Sequence, residues 1–200
     1  MINMRTDLDS CWNCKSNDRN LFFCNICNKI QKPNNLDPFK LFSLPYNFNI
    51  NKEKLEEEFL GLQMKLHPDK FVNANDNEKL FSSIHSANLN ESYSTLIDPI
   101  LRAGALLKVF TNYDLKEKTI DDKSILIEIM ELEEEKEMIR EEKASNIFFK
   151  KILALIDYEF RNIASKFQEN NYKEAAKIHT KLTYLNKIKH DFKKGSELRL

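Results

Sequence analysis

Four cysteines and one His-Pro-Asp tripeptide are the places in this chain where side-chain types and spacing could do chemistry. The cysteines form two pairs, Cys11-Trp-Asn-Cys14 and Cys24-Asn-Ile-Cys27, with nine residues between them. A Cys-x-x-Cys turn lets two thiolates grip one ion. Two such turns close a tetrahedron of sulfurs about 2.3 Å from the metal, the shell that zinc prefers. A filled shell has no position for water or substrate, so zinc held this way is structural. Two disulfides, an iron–sulfur centre or a redox pair are the other arrangements open to four thiols. Lys15, Arg19, Lys29 and Lys32 stand close enough in sequence to offset part of the excess negative charge. Trp12, Phe22 and Phe23 supply local apolar packing. A segment of about 35 residues is too small to fold on apolar burial alone, so the ion should supply its folding energy.

His67-Pro68-Asp69 follows the run Leu55, Phe59, Leu62, Leu66, which is spaced as one face of a helix. Proline keeps the residue before it out of helical geometry, so the helix should stop at about His67. A second helix is read from Leu80 to Leu96, ending at Asp98-Pro99. Its Phe81, Leu89, Tyr93 and Leu96 should pack on the first stripe as core. The tripeptide then sits at the tip of an antiparallel hairpin, where a ring, a kink and a carboxylate face solvent.

Composition limits the alternatives. The chain has 200 residues, 31 basic and 31 acidic, for a formal net charge of +0. No global field draws it to nucleic acid or membrane. With 42% hydrophobic residues, only 3 Gly and 5 Pro, and many Lys, Glu and Leu, helix is favoured throughout. No apolar stretch approaches a membrane span. The first ten residues, one Arg and two Asp among them, read as neither signal nor transit peptide. The other histidines, His85, His179 and His190, are scattered and read as structural.

From Phe39 to Tyr113 the motifs accumulate: Phe-x-Leu-Phe-x-Leu-Pro at 39–45, His-Pro-Asp-Lys-Phe at 67–71, Ser-Ala-x-x-Asn at 86–90, Tyr-x-Thr-Leu at 93–96 and Pro-x-x-Arg-Ala at 99–103. This set resembles the J-domain of the HscB family, co-chaperones of iron–sulfur cluster assembly. The cysteine segment resembles the tetracysteine extension of many eukaryotic members. The resemblance implies that the tip docks on a DnaK-type chaperone in its ATP state through His67, Pro68 and Asp69. Lys65 and Lys70 are the candidate flanking contacts. One departure stands out: J-domains usually carry a basic stripe before the tripeptide, and here Glu56, Glu57 and Glu58 interrupt Lys52, Lys54 and Lys65.

Beyond Asn112 and Tyr113 three charged helical runs are predicted, over about 122–143, 146–168 and 172–193, joined by short loops into an antiparallel three-helix bundle. The middle run has the stripe Phe148, Ile152, Ile156, Phe160, Ile163, Phe167, and the last has Ile178, Leu182, Leu185, Ile188. Near 125–132 the first run is apolar over more than half its circumference, so a second, exposed apolar face is expected. That segment is similar to the one by which HscB proteins hold the scaffold IscU. The likeness assigns apolar contacts to Leu126, Ile127 and Met130, acidic contacts to Glu131 and Glu134, and an aromatic contact to Tyr184, where the family more often has Phe.

The expectation is an all-α protein in three parts: a tetracysteine zinc-knuckle module over 1–36, a J-domain over 37–113 and a scaffold-binding bundle over 114–200. Its zinc ligands are Cys11, Cys14, Cys24 and Cys27. It is no enzyme: it stimulates a DnaK-type ATPase and delivers an IscU-type scaffold to it. Neither nucleic acid nor membrane is a partner, and a weak homodimer is left open. The family points to mitochondria, with the cytoplasm as the alternative. A general J-domain co-chaperone for folding or import is the alternative function.

Overall fold

In the computed structural model, residues 10–111 and 122–197 are described, without the side chains of 195–197. Residues 112 and 113, where the sequence pattern changes, and the first nine residues lie outside them. The described elements are α-helices and one 3-10 turn, with no strand among the described residues; two isolated β-bridges lie in the cysteine segment. No described helix is long and apolar enough to cross a membrane. The fold class is all-α, as expected.

Contacts divide the chain into two compact units, 1–45 with 51–94, and 46–50 with 95–200. In the first unit, Asp37 caps the short helix α1 (Pro38–Leu41), accepting from the Phe39 and Lys40 amides. Helix α2 (Lys52–Leu66) starts where Asn51 Oδ1 accepts from the Lys54 amide at 2.7 Å. It stops at His67, whose ψ of 131° is the extended geometry that the following proline demands. Pro68 opens a 3-10 turn, Pro68–Phe71.

Helix α3 (Asp76–Ile97) begins a turn earlier than the apolar pattern suggests. Asn75 and Glu78 form the cap: the Glu78 amide donates to Asn75 Oδ1, and Asn75 Nδ2 donates to Glu78 Oε2. Leu55, Leu66 and Leu89 are fully buried, and Phe59 stacks on Tyr93 with ring centroids 4.2 Å apart. Ser82 Oγ donates to the Leu66 carbonyl at 2.9 Å, tying α3 to the end of α2. Phe81 is half-buried, and its ring meets Trp12 edge-on at 5.9 Å.

The second unit holds α4 (Pro99–Phe110), α5 (Lys123–Met138), α6 (Glu142–Gln168) and α7 (Tyr172–Glu197). Asp98 and Pro99 end α3 and also cap α4. Arg102, buried in α4, donates Nε to the Phe48 carbonyl at 2.8 Å and Nη1 to the Leu96 carbonyl, with its guanidinium over the Phe48 ring. Phe148, Ile152, Ile156 and Ile163 of α6 are buried with Leu182, Leu185 and Ile188 of α7. Phe160, Phe167 and Ile178 are only half-buried. The run expected over 122–143 ends at Met138, and α6 starts one turn earlier than expected. Ile139 and Glu141 take extended backbone there, with neither Gly nor Pro to mark the break.

Candidate functional site

The cysteine module is built from two equivalent turns. Lys15 N donates to the Cys11 carbonyl and Asn28 N to the Cys24 carbonyl, each at 3.0 Å. Lys15 and Asn28 have φ of 62° and 55°, the left-handed step that turns the chain after each Cys-x-x-Cys. All four cysteines are free thiols. Their sulfurs lie within 4.8 Å of one another. Cys11–Cys27 and Cys14–Cys24 are each 3.6 Å apart. Four sulfurs about 2.3 Å from one ion stand about 3.8 Å from each other, so the set fits a tetrahedral metal.

The module is packed on α3. Beside the Trp12–Phe81 contact, Phe22 meets the His85 ring edge-on at 5.4 Å. His85 Nε2 lies 2.9 Å from the Gln31 carbonyl. Lys29 Nζ lies 2.9 Å from Glu78, so this lysine is committed to a carboxylate of α3. Burial pushes the His85 imidazole below its ordinary range, against the Gln31 bond, which favours the charged form. Sequence reasoning missed these contacts; His85 carried no signal beyond being one of four scattered histidines.

At the tip, the side chain of Asp69 is 86% exposed and that of His67 45%. His67 Nδ1 accepts from the Asp69 amide at 3.3 Å and lies 3.5 Å from the Asp69 carboxylate. The imidazole thus closes a small ring over Pro68 through the Asp69 amide. Lys65 and Lys70 are exposed, as are Glu56, Glu57 and Glu58.

On α5, Ile129 and Leu132 are buried, while Leu126, Ile127 and Met130 are 41%, 56% and 53% exposed. Glu131 and Glu134 are exposed, and Tyr184 on α7 is half-buried. The second apolar face anticipated from the sequence is therefore present on α5. A feature not anticipated is Lys181, which lies 2.6 Å from Glu128 and 2.8 Å from the buried Glu159. Burial would lower the Lys181 pKa, but the two carboxylates raise it overall.

The chain is 34% identical to the human "Iron-sulfur cluster co-chaperone protein HscB" over 92% of its length and 80% of that protein's. It belongs to the HscB family. Residues 121–193 match the model of the "HSCB C-terminal oligomerisation domain". The "Co-chaperone protein HscB homolog" of Photobacterium profundum is 30% identical, over 81% of this chain and 98% of that one. Among solved structures, that of human co-chaperone protein HscB matches with a TM-score of 0.87 at 31% identity, covering 94% of this chain and 98% of that one. Chaperone HscB from Vibrio cholerae matches with a TM-score of 0.73 at 28% identity, covering 82% and 100%.

Proposed function

We propose that this protein is a co-chaperone of iron–sulfur cluster assembly. It stimulates the ATPase of a DnaK-type chaperone and brings an IscU-type scaffold to it for cluster transfer. The observation that carries the reading is the exposed His67-Pro68-Asp69 corner between α2 and α3, in a chain of the HscB family.

The protein performs no bond chemistry itself; it biases the conformation of the partner that does. Pro68 and the His67–Asp69 hydrogen bond hold the corner rigid before contact, which lowers the ordering cost of docking. Asp69 offers a carboxylate for a charge-assisted bond to a basic side chain of the partner, and His67 offers a flat polar contact. Lys65 and Lys70 flank them. In the second unit Leu126, Ile127, Met130, Glu131, Glu134 and Tyr184 hold the scaffold. Two surfaces on one chain raise the effective concentration of client and motor for each other.

Cys11, Cys14, Cys24 and Cys27 hold a structural zinc, which supplies the folding energy that so small a segment lacks. Residues 1–36, 37–113 and 114–200 correspond to zinc module, J-domain and scaffold-binding domain. The site of action is the mitochondrion. Reconstitution with a purified DnaK-type chaperone and an IscU-type scaffold tests the proposal. The reading predicts ATPase stimulation that rises further when scaffold is added; a general J-protein would stimulate equally with and without it.

A further inference from the structure

Helix α5 is fastened to its neighbours by little apolar surface. Of its 16 residues, Ile129 and Leu132 are the buried ones. Three lysines of the neighbouring helices add ion pairs along its length. Lys177 lies 3.3 Å from Asp122 at the amino-terminal end, Lys181 lies 2.6 Å from Glu128, and Lys151 lies 2.6 Å from Glu135 in the last turns. The outer two pairs are well exposed, the sort of contact that water and salt weaken. The middle one differs. The Lys181 side chain is 14% exposed, that of Glu159 6% and that of Glu128 37%, so one ammonium joins α5, α6 and α7 through one buried and one partly exposed carboxylate. Asn162 Nδ2 completes the network by donating to the other Glu159 oxygen at 3.1 Å.

Helical periodicity gives this network a consequence. At about 100° per residue, Asp122, Glu128, Ile129, Leu132 and Glu135 fall within one arc of roughly 140°. Leu126, Ile127, Met130, Glu131 and Glu134 fall within the arc diametrically opposite. Turning α5 about its axis therefore moves the fastening and the exposed face by the same angle. A helix held by Ile129 and Leu132, with Ile125 half-buried beside them, has few other apolar contacts to oppose that rotation.

We infer that Lys181 is a positioning residue, whose bonds to Glu128 and Glu159 fix the rotation of α5 and so present Leu126, Ile127 and Met130 in register for the scaffold. The inference rests on the scaffold-binding reading of that face. Lys181 stands on the opposite side of α5 from the contact and acts through the helix. A face ordered beforehand loses less entropy on binding than one that must be ordered by its partner.

Glu128→Gln is the discriminating variant, because it removes the charge from the α5 half of the network and leaves the Lys181–Glu159 pair in place. In the free protein its α5 amides should exchange about fivefold faster, the effect of losing one partly exposed pair, with α6 and α7 unchanged. Affinity for a purified IscU-type scaffold, by calorimetry, should fall by a similar factor. Lys181→Arg should keep most of the wild-type affinity, and Lys181→Met should lose more than Glu128→Gln because it strands Glu159. If Lys181→Met does not fold, the Glu128→Gln exchange experiment decides alone. Unchanged α5 exchange in Glu128→Gln overturns the positioning role whether or not scaffold binds. A Met130→Ala protein that binds scaffold like wild type overturns the scaffold reading instead.

Discussion

Gln31 presents its backbone carbonyl to His85 Nε2 at 2.9 Å while its side-chain amide donates to Cys11 Sγ at 3.4 Å. One buried residue thus bridges the cysteine cluster and the first half of α3. The bridge gives the module a structural use: a change at the thiolates should reach the helix that follows the His-Pro-Asp corner.

Acid should weaken this unit through His85. Burial holds its imidazole neutral in the fold, whereas the unfolded chain takes up a proton near pH 6.5. Its contribution is complete above about pH 6.5 and declines as pH falls below that, by at most about 1.4 kcal/mol per pH unit. Urea denaturation at pH 7.5 and 5.5 measures the loss, and His85→Gln should reduce the difference between the two. His179, buried against the Ile100 carbonyl with its pKa also lowered by burial, adds a loss of the same sign in the second unit.

Metal removal should act beyond the module. Elemental analysis should find one zinc per chain, and Cys14→Ser or a strong chelator should release it. Amides around Glu78 to His85 should then exchange faster, because Lys29, Trp12 and Gln31 lose the framework that holds them against α3. Unchanged exchange there would show that the module keeps its place without the ion.

Arg102→Ala should be among the most destabilising single changes in the second unit. It strips the Phe48 and Leu96 carbonyls of their donor and removes a stacked guanidinium. A cost of about 2–4 kcal/mol is expected in urea unfolding. A cost near zero would mean that water satisfies both carbonyls.

What the sequence made legible was local. Pro68 declared the corner because proline constrains its immediate neighbour, and the Cys-x-x-Cys spacing declared the cluster because each turn spans four residues. The α6 stripe at 148, 152, 156 and 163 declared its buried face through its period. Contacts between polar residues far apart in sequence left no such trace. His85 meets Gln31 across 54 positions, and the lysine that joins three helices reads in sequence as one more solvated charge. The α5–α6 break was expected a turn too late because Ile139 and Glu141 end the helix by backbone conformation, with no residue that demands it. Helix α4 was legible only as a Pro-x-x-Arg-Ala motif; its role as the anchor for Phe48 required the fold.

Met130→Ala combined with Tyr184→Ala should weaken scaffold binding by about tenfold or more, as truncating two anchors of a contact does. Met130 is exposed, so its truncation should change thermal stability little, and the half-buried Tyr184 should account for most of any loss. Basal stimulation of the chaperone ATPase, measured without scaffold, should stay at the wild-type level. Loss of both activities in a folded double variant would show that the two surfaces are not separable.

Single-turnover ATP hydrolysis by a purified DnaK-type chaperone tests the central claim most directly. Wild-type protein should accelerate phosphate release. His67→Gln, at an exposed position where the fold has little at stake, should leave the basal rate unchanged while still binding scaffold. A wild-type protein that does not alter the rate, or a His67→Gln protein that accelerates it equally, would contradict the account.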